Sequence, residues 1–129
     1  MVSLAIAGED GFELSDIELH RPPPSYTVDT LRELRTAHRK DELVLLIGAD
    51  NVAKFDTWRE PEEIRRLAQI AVLDRAGAAA SHQWPVVRRL VDISSTDIRA
   101  RVAAGRSIRY LTPDSVCDYI TAQGFYRHA

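Results

Sequence analysis

The sequence predicts an α/β domain built on a mostly parallel sheet flanked by helices. Three observations predict it. Segments 42–50 and 69–74 read "ELVLLIGAD" and "QIAVLD", apolar runs that suit strands buried on both faces, as parallel strands are. Segments with helical spacing lie between and around them, so strands and helices alternate along the chain. The 129 residues, 45% of them hydrophobic, suffice for a single domain spanning 1–129 with a core of its own.

The elements follow in chain order. "FELSDIEL" (12–19) sets Phe12, Leu14, Ile17 and Leu19 in an imperfect alternation and reads as a strand. "RPPP" (21–24) stops it, because prolines there exclude a helix. "SYTVDTLRELRTAH" (25–38) reads as a helix: Val28, Leu31 and Leu34 recur at three-residue spacing, Ser25 or Thr27 can cap, and Asp29 suits the positive first turn. Segment 42–50 is the clearest strand, with Gly48 bounding its apolar run. "PEEIRRLA" (61–68) is a short helix with Pro61 in its first turn and acids behind it. Segment 69–74 is the next strand, and "PVVRRLVDI" (85–93) a third, less regular one. "STDIRARVAAG" (95–105) is a helix that stops near Gly105, a favoured residue just past a helix end. In "TPDSVCDYITAQG" (112–124) Thr112 caps, Pro113 takes the first position, Val116 and Ile120 form the apolar stripe and Gly124 ends the helix.

Composition excludes some classes of function. A formal net charge of −2 argues against a chain that coats nucleic acid. The charge is uneven, for residues 59–109 carry ten arginines and no lysine. Forked guanidinium groups suit fixed contacts to phosphate or carboxylate, and a solvated helical face with i,i+4 pairs accounts for them equally. Cys117 is the single cysteine, so no disulfide forms within the chain and no cysteine-based zinc site is available. No apolar run approaches the ~18 residues of a membrane span, and "MVSLAIAGEDGF" lacks the basic stretch of a signal peptide. A cytoplasmic protein with no membrane partner is expected.

Ligands of open α/β sheets sit beyond the carboxyl ends of the strands. Two turns there carry chemistry. In Ser94-Ser95-Thr96-Asp97, Ser94 can cap the helix while Asp97 reaches back. One cap needs one hydroxyl, and here there are three. A helix start also offers free N–H groups and positive partial charge to an anion. Arg99 sits near that first turn, where a cation is unfavourable unless an anion accompanies it. Capping and phosphate binding both remain open on this reasoning. In Gly48-Ala49-Asp50, Gly48 permits close approach of a ligand and Asp50 can accept from ribose hydroxyls, although a plain strand-ending turn has the same composition. Trp58, in "KFDTW", is placed to stack on a ring or simply to pack. Thr27 and Thr30 can simply cap and face solvent. His20, His38, His82 and His128 are scattered, and no H-x-x-x-H pair, P-loop or G-x-G-x-x-G stretch is present.

Five stretches, "SDIELHRPPPSYTVDTLREL", "LVLLIGADN", "FDTW", "ISSTDIR" and "GRSIRYLTPDSVCDYITAQGFY", resemble the bacterial nicotinate-nucleotide adenylyltransferases in order and spacing, over essentially the whole chain. "ISSTDIR" alone would mark only the wider nucleotidyltransferase superfamily. The resemblance implies a Rossmann-like fold and transfer of AMP from ATP to nicotinate mononucleotide, giving deamido-NAD and pyrophosphate in NAD biosynthesis, with magnesium (Mg2+). It implies that Ser94, Ser95, Thr96 and Arg99 hold the ATP phosphates and that Gly48 and Asp50 line the adenosine site. Thr27 and Thr30 belong beside the nicotinate nucleotide, with Trp58 stacking near the pyridine ring. Arg75, in "LDRAGA", takes the place of an arginine in the family's "VxxRPG" strand end, without the proline. The resemblance identifies no catalytic residue and no metal ligand in this chain.

The family opens on a strand and a G-[GS]-[ST]-F-D-P-x-H-x-G-H motif whose glycine-rich loop and histidines grip the ATP phosphates. The sequence contains no such motif. The expectation is therefore a fold incomplete at its N-terminus. Segment 12–19 then lacks a neighbour, and 42–50 becomes an apolar edge open to self-association. Nucleotidyl transfer rests on positioning and charge stabilisation, so loss of the histidine loop is expected to remove most of the rate. Two other readings stand beside this one: a truncated, inactive remnant that still binds nucleotide, and an adenylyltransferase for another phosphate-bearing acceptor. "PSYTVDTL" and "FDTW" favour the nicotinate acceptor over the latter.

Overall fold

The computed structural model describes residues 1–74, 82–88, 91 and 93–127. In chain order these form α1 (Val2–Ala5), a 3₁₀ turn (Ile17–His20), α2 (Thr27–Ala37), β1 (Val44–Gly48), α3 (Ala49–Val52), a second 3₁₀ turn (Phe55–Thr57), α4 (Pro61–Leu67), β2 (Gln69–Asp74), β3 (Val86–Arg88), α5 (Ser95–Ala103) and α6 (Asp114–Gln123). Backbone contacts divide the chain into two compact units, Asp16–Asp92 and Met1–Ser15 with Ile93–Ala129.

The unit Asp16–Asp92 holds a three-stranded sheet of order β1-β2-β3. Both pairings are parallel, with Ile47 opposite Val72 and Val72 opposite Val86. Parallel neighbours need a crossover rather than a hairpin, and α3, the second 3₁₀ turn and α4 supply it between β1 and β2. Helices α2 and α4 cover one face. Val28 and Leu31 of α2 and Ile64 of α4 share a buried cluster with Ile47 of β1, Ile70 and Val72 of β2, and Phe55.

Strand β1 corrects the expectation of burial on both faces. Leu43 and Leu45 are half-buried and Ile47 buried on the cluster side, whereas Val44 is 58% and Leu46 53% exposed. Side chains alternate across a strand, so Val44 and Leu46 share the face opposite Ile47, and that face is exposed at β1. β1 is also the sheet's edge, as expected. Its neighbour β2 is the strand that is buried through Ile70, Ala71 and Val72.

The strand expected over 12–19 does not form. Residues 12–16 are irregular and 17–20 make a 3₁₀ turn, with Phe12 and Leu19 exposed. An alternating segment becomes a strand only where a neighbour supplies ladder hydrogen bonds, and the described sheet ends at β1. Helix α2 starts at Thr27 with Tyr26 at the capping position and no side-chain cap. Ser25 and Thr27 therefore do not cap it; the Ser25 hydroxyl donates to the Glu18 carbonyl at 3.2 Å instead. Residues 85–93 yield strand only over Val86–Arg88; residues 89, 90 and 92 lie outside the description.

In the other unit, Ile98, Ile108, Val116 and Ile120 form the core, with Leu4 and Val102 packed against it. The Ser115 hydroxyl donates to the Leu4 carbonyl at 3.0 Å, fixing α1 to the start of α6. Thr112 does not cap α6. Pro113 takes the capping position, its carbonyl accepting from the amides of Val116 and Cys117, both at 3.0 Å. Gly105 and Gly124 have φ of +66°, the left-handed conformation that glycine supplies at a helix end. No described helix is long and apolar enough to cross a membrane.

Candidate functional site

The hydroxyl cluster resolves into two parts. Ser94 occupies the capping position of α5, and its hydroxyl oxygen accepts from the Asp97 amide at 3.1 Å. Asp97 does not reach back; its carboxylate accepts from Nε of Arg101 at 2.8 Å, one turn on. Ser95, Thr96 and Arg99 are exposed, and Arg99 donates to the Thr96 hydroxyl at 3.3 Å. The Arg101 bridge draws the local acid away from the helix start. The exposed hydroxyls and guanidinium remain beside its positive end, the arrangement an anion requires. Capping thus falls to Ser94 alone and leaves Ser95, Thr96 and Arg99 out of it. Ser94→Ala is expected to lower stability by about 1 kcal/mol. Arg99→Ala stays within about 0.5 kcal/mol. Urea denaturation checks both, and equal losses would contradict the division.

In the sheet-bearing unit, Gly48 ends β1 and Asp50 lies in the first turn of α3, exposed. The backbone at Gly48, φ −69° and ψ 149°, is open to any residue. A Cβ there would meet the Asp50 carboxylate, the movable end of an exposed side chain, and displace it. The close approach is made by the Asp50 carboxylate.

Thr27 and Trp58 are brought together. Both line a pocket of about 250 Å³ with Ser25, Tyr26, Thr57 and Arg59, and Ile64 beneath. Trp58 is half-buried, and its ring packs on Phe55 with centroids 5.3 Å apart. The Arg59 guanidinium lies over the Tyr26 ring, 4.6 Å from its centroid. Thr30 is engaged elsewhere, accepting from Arg21 and donating to Glu18 at 2.6 Å. Arg75 lies outside the described residues. Sequence reasoning missed Tyr26 and Arg59, since nothing local announces that residues so far apart in the chain would stack.

The pocket lip is braced by Glu60, which caps α4 in a left-handed conformation, φ 52° and ψ 57°. That region is sparsely populated by non-glycine residues and persists where the surroundings hold it. Arg32 of α2 does so, donating to Glu60 at 2.5 and 3.3 Å. These hydrogen bonds hold the Glu60 carboxyl below its ordinary value and raise Arg32. A depressed carboxylate stabilises the fold above its ordinary pKa, and the contribution disappears as pH falls through the lowered value. Wild-type protein is therefore expected to lose more thermal stability than Glu60→Gln on acidification below about pH 4.5. Parallel melting curves for the two would count against the bridge.

A larger cavity of about 640 Å³ includes Asp56, Arg65, His82 and Trp84 in its lining. Trp84 meets Phe55 edge-on at 5.0 Å, and Arg65 lies 4.9 Å over the same Phe55 ring while bonding Asp56 at 2.5 Å. Among the described residues no three His, Cys, Asp or Glu side chains gather into a metal-holding group.

The model of the cytidylyltransferase-like family matches residues 1–101. A probable nicotinate-nucleotide adenylyltransferase of Marinobacter nauticus is 42% identical over 153 residues, covering 98% of this chain and 71% of the relative. One from a Roseiflexus species is 46% identical over 140 residues, covering 98% and 70%. Among solved structures, a Plasmodium falciparum nicotinic acid mononucleotide adenylyltransferase complexed with APC superposes with a TM-score of 0.75 at 18% identity, over 100% of this chain and 74% of that one. That likeness establishes the Rossmann-like fold.

Proposed function

The chain belongs to the cytidylyltransferase-like family and, within it, to the nicotinate-nucleotide adenylyltransferases, and from that premise we propose that it transfers the adenylyl group of ATP to nicotinate mononucleotide in NAD biosynthesis. The products are deamido-NAD and pyrophosphate. The observation that carries this reading is the pocket that joins Thr27 to Trp58. Its volume equals about eight waters at about 30 Å³ each, room for one small ring and its substituent beside an indole.

The chemistry is an in-line displacement. An oxygen of the acceptor's phosphate forms a bond to the α-phosphorus of ATP as the bond to pyrophosphate breaks. Such a transfer depends on holding reactants in line and on stabilising negative charge. In this proposal Ser94, Ser95, Thr96 and Arg99 hold the ATP phosphates, and Gly48 and Asp50 line the adenosine site. Trp58 and Thr27 seat the pyridine ring of the acceptor, with Thr30 and Arg75 in the segments flanking it. The described residues form no cage for magnesium by themselves. The ion is commonly held by substrate phosphates with one or two carboxylates. The lone cysteine and the use of ATP fit the cytoplasm. The exposed Val44 and Leu46 of edge strand β1 support self-association with a second copy.

The test mixes the chain with ATP, magnesium and nicotinate mononucleotide and follows pyrophosphate. Slow release that depends on the mononucleotide is expected, since the sequence contains no histidine-loop motif to supply most of the rate, with ATP affinity lowered about tenfold in Arg99→Ala, as for loss of a charge-assisted hydrogen bond. A folded chain that neither releases pyrophosphate nor binds either substrate by calorimetry would overturn the reading.

A further inference from the structure

The unit that contains α5 and α6 holds a cavity of about 380 Å³ at the end of α5 remote from its capping serine. α5 runs for 9 residues, so its two ends lie about 14 Å apart at about 1.5 Å per residue. Ile108 and Ile120, both buried in the unit's core, give the cavity an apolar wall. The polar wall is cationic. Arg106, next after Gly105, and Arg127, shortly past α6, both line it, and no described aspartate or glutamate does. Neither guanidinium is paired with a carboxylate among the described residues. Arg127 is held in place: a terminal nitrogen donates to the Thr121 carbonyl at 3.1 Å, and the group lies against Gly124, 3.8 to 3.9 Å from where a Cβ would stand. The Ser107 hydroxyl oxygen accepts from the Arg109 amide at 3.2 Å, which leaves its proton to donate. A single cation at a helix end needs no ligand, since it complements the carbonyls there. The charge here exceeds that need. The ends of α5 and α6 each bring about half a negative charge, against two full positive ones.

We propose that this cavity binds a small amphiphilic anion, a phosphate or carboxylate head on an apolar body such as a single ring. Arg106, Arg127 and the Ser107 hydroxyl take the head, the guanidinium forks donating paired, charge-assisted hydrogen bonds. Ile108 and Ile120 take the body. The volume equals about thirteen waters at about 30 Å³ each, room for one ring with its head. Both arginines are exposed, so water and salt weaken the contact and the affinity is millimolar. The site lies at the opposite end of α5 from Ser95, Thr96 and Arg99, and it does not depend on the acceptor reading above.

Cys117 lines the same cavity and is the chain's single cysteine, so its alkylation reports on this site alone. Rates are measured on the full chain with iodoacetate, an anion, and with iodoacetamide, its neutral counterpart. Their ratio is compared with that of a cysteine in a neutral peptide, which cancels differences in thiol exposure. The ratio at Cys117 is expected to stand about fivefold to tenfold above the peptide's at low salt and to fall as salt rises. Arg106→Gln and Arg127→Gln each lower it, and the double variant returns it to the peptide's value, with melting temperatures confirming that all three fold. Phenyl phosphate is expected to slow alkylation by iodoacetamide saturably, at concentrations about tenfold below those that inorganic phosphate needs. A wild-type ratio equal to the peptide's overturns the inference, and so does a raised ratio that survives in the double variant. Protection by phenyl phosphate no better than by inorganic phosphate overturns the amphiphilic ligand. Protection that disappears in Arg99→Ala places the ligand at the start of α5 and overturns the site.

Discussion

Replacing Trp58 by alanine is expected to weaken binding of nicotinate mononucleotide by about tenfold to a hundredfold. Stacking of a heteroaromatic ring on an aromatic side chain is worth about 1–3 kcal/mol, which corresponds to that range. The indole is half-buried, lines the pocket and packs on Phe55. Removing it costs some packing as well, about 2 kcal/mol for lost apolar burial. Trp58→Phe separates the two losses, because it keeps an aromatic face in the pocket. Calorimetry gives the affinities and thermal denaturation the stability. If Trp58→Ala binds the mononucleotide as wild type does, Trp58 is only a packing residue.

The second large effect lies beneath it. Phe55 is fully buried and touches both tryptophans of the chain, Trp58 at 5.3 Å and Trp84 at 5.0 Å. It therefore backs two cavities at once, the one lined by Trp58 and the one lined by Trp84. The guanidinium of Arg65 adds a contact 4.9 Å above the ring. Phe→Ala at such a site costs about 3–5 kcal/mol in lost transfer energy and residual cavity. Against a native margin of about 5–15 kcal/mol, that is about a fifth of the stability or more. Phe55→Ala is expected to lower the melting temperature by more than about 10 °C, with Phe55→Leu falling less. Tryptophan fluorescence reports the same site, since both indoles rest on this ring. A shift under about 3 °C would show that the neighbours close over the gap.

The parts of the fold that could be read from sequence are those set by local pattern plus one nearby partner. Strand β2 spans Gln69–Asp74, as its apolar run indicates, and Pro61 opens α4 where its fixed φ suits the first turn. Gly105 and Gly124 end their helices for a reason visible in the residue itself. The failures share a different cause. "FELSDIEL" has a strand's alternation but no neighbour to pair with, and alternation does not carry that information. Val44 and Leu46 look like core because sequence cannot say which face a helix will cover. At the candidate site, the Ser94 cap follows from spacing, but the pairing of Asp97 with Arg101 in place of the capping box depends on which of two nearby partners wins. The Arg59–Tyr26 contact joins two elements distant in the chain, so it belongs to tertiary structure alone.

The Asp50 carboxylate fills the volume that a side chain at position 48 would occupy. Mutational tolerance at the two positions is therefore linked. With aspartate at 50, Gly48→Ala must drive the carboxylate out of place, and its cost is one of displacement rather than of backbone conformation. With Asp50→Ala already made, the obstructing oxygen is gone and the same substitution meets little resistance. A double-mutant cycle on ATP affinity should consequently be far from additive, Gly48→Ala being damaging alone and nearly silent in the Asp50→Ala background.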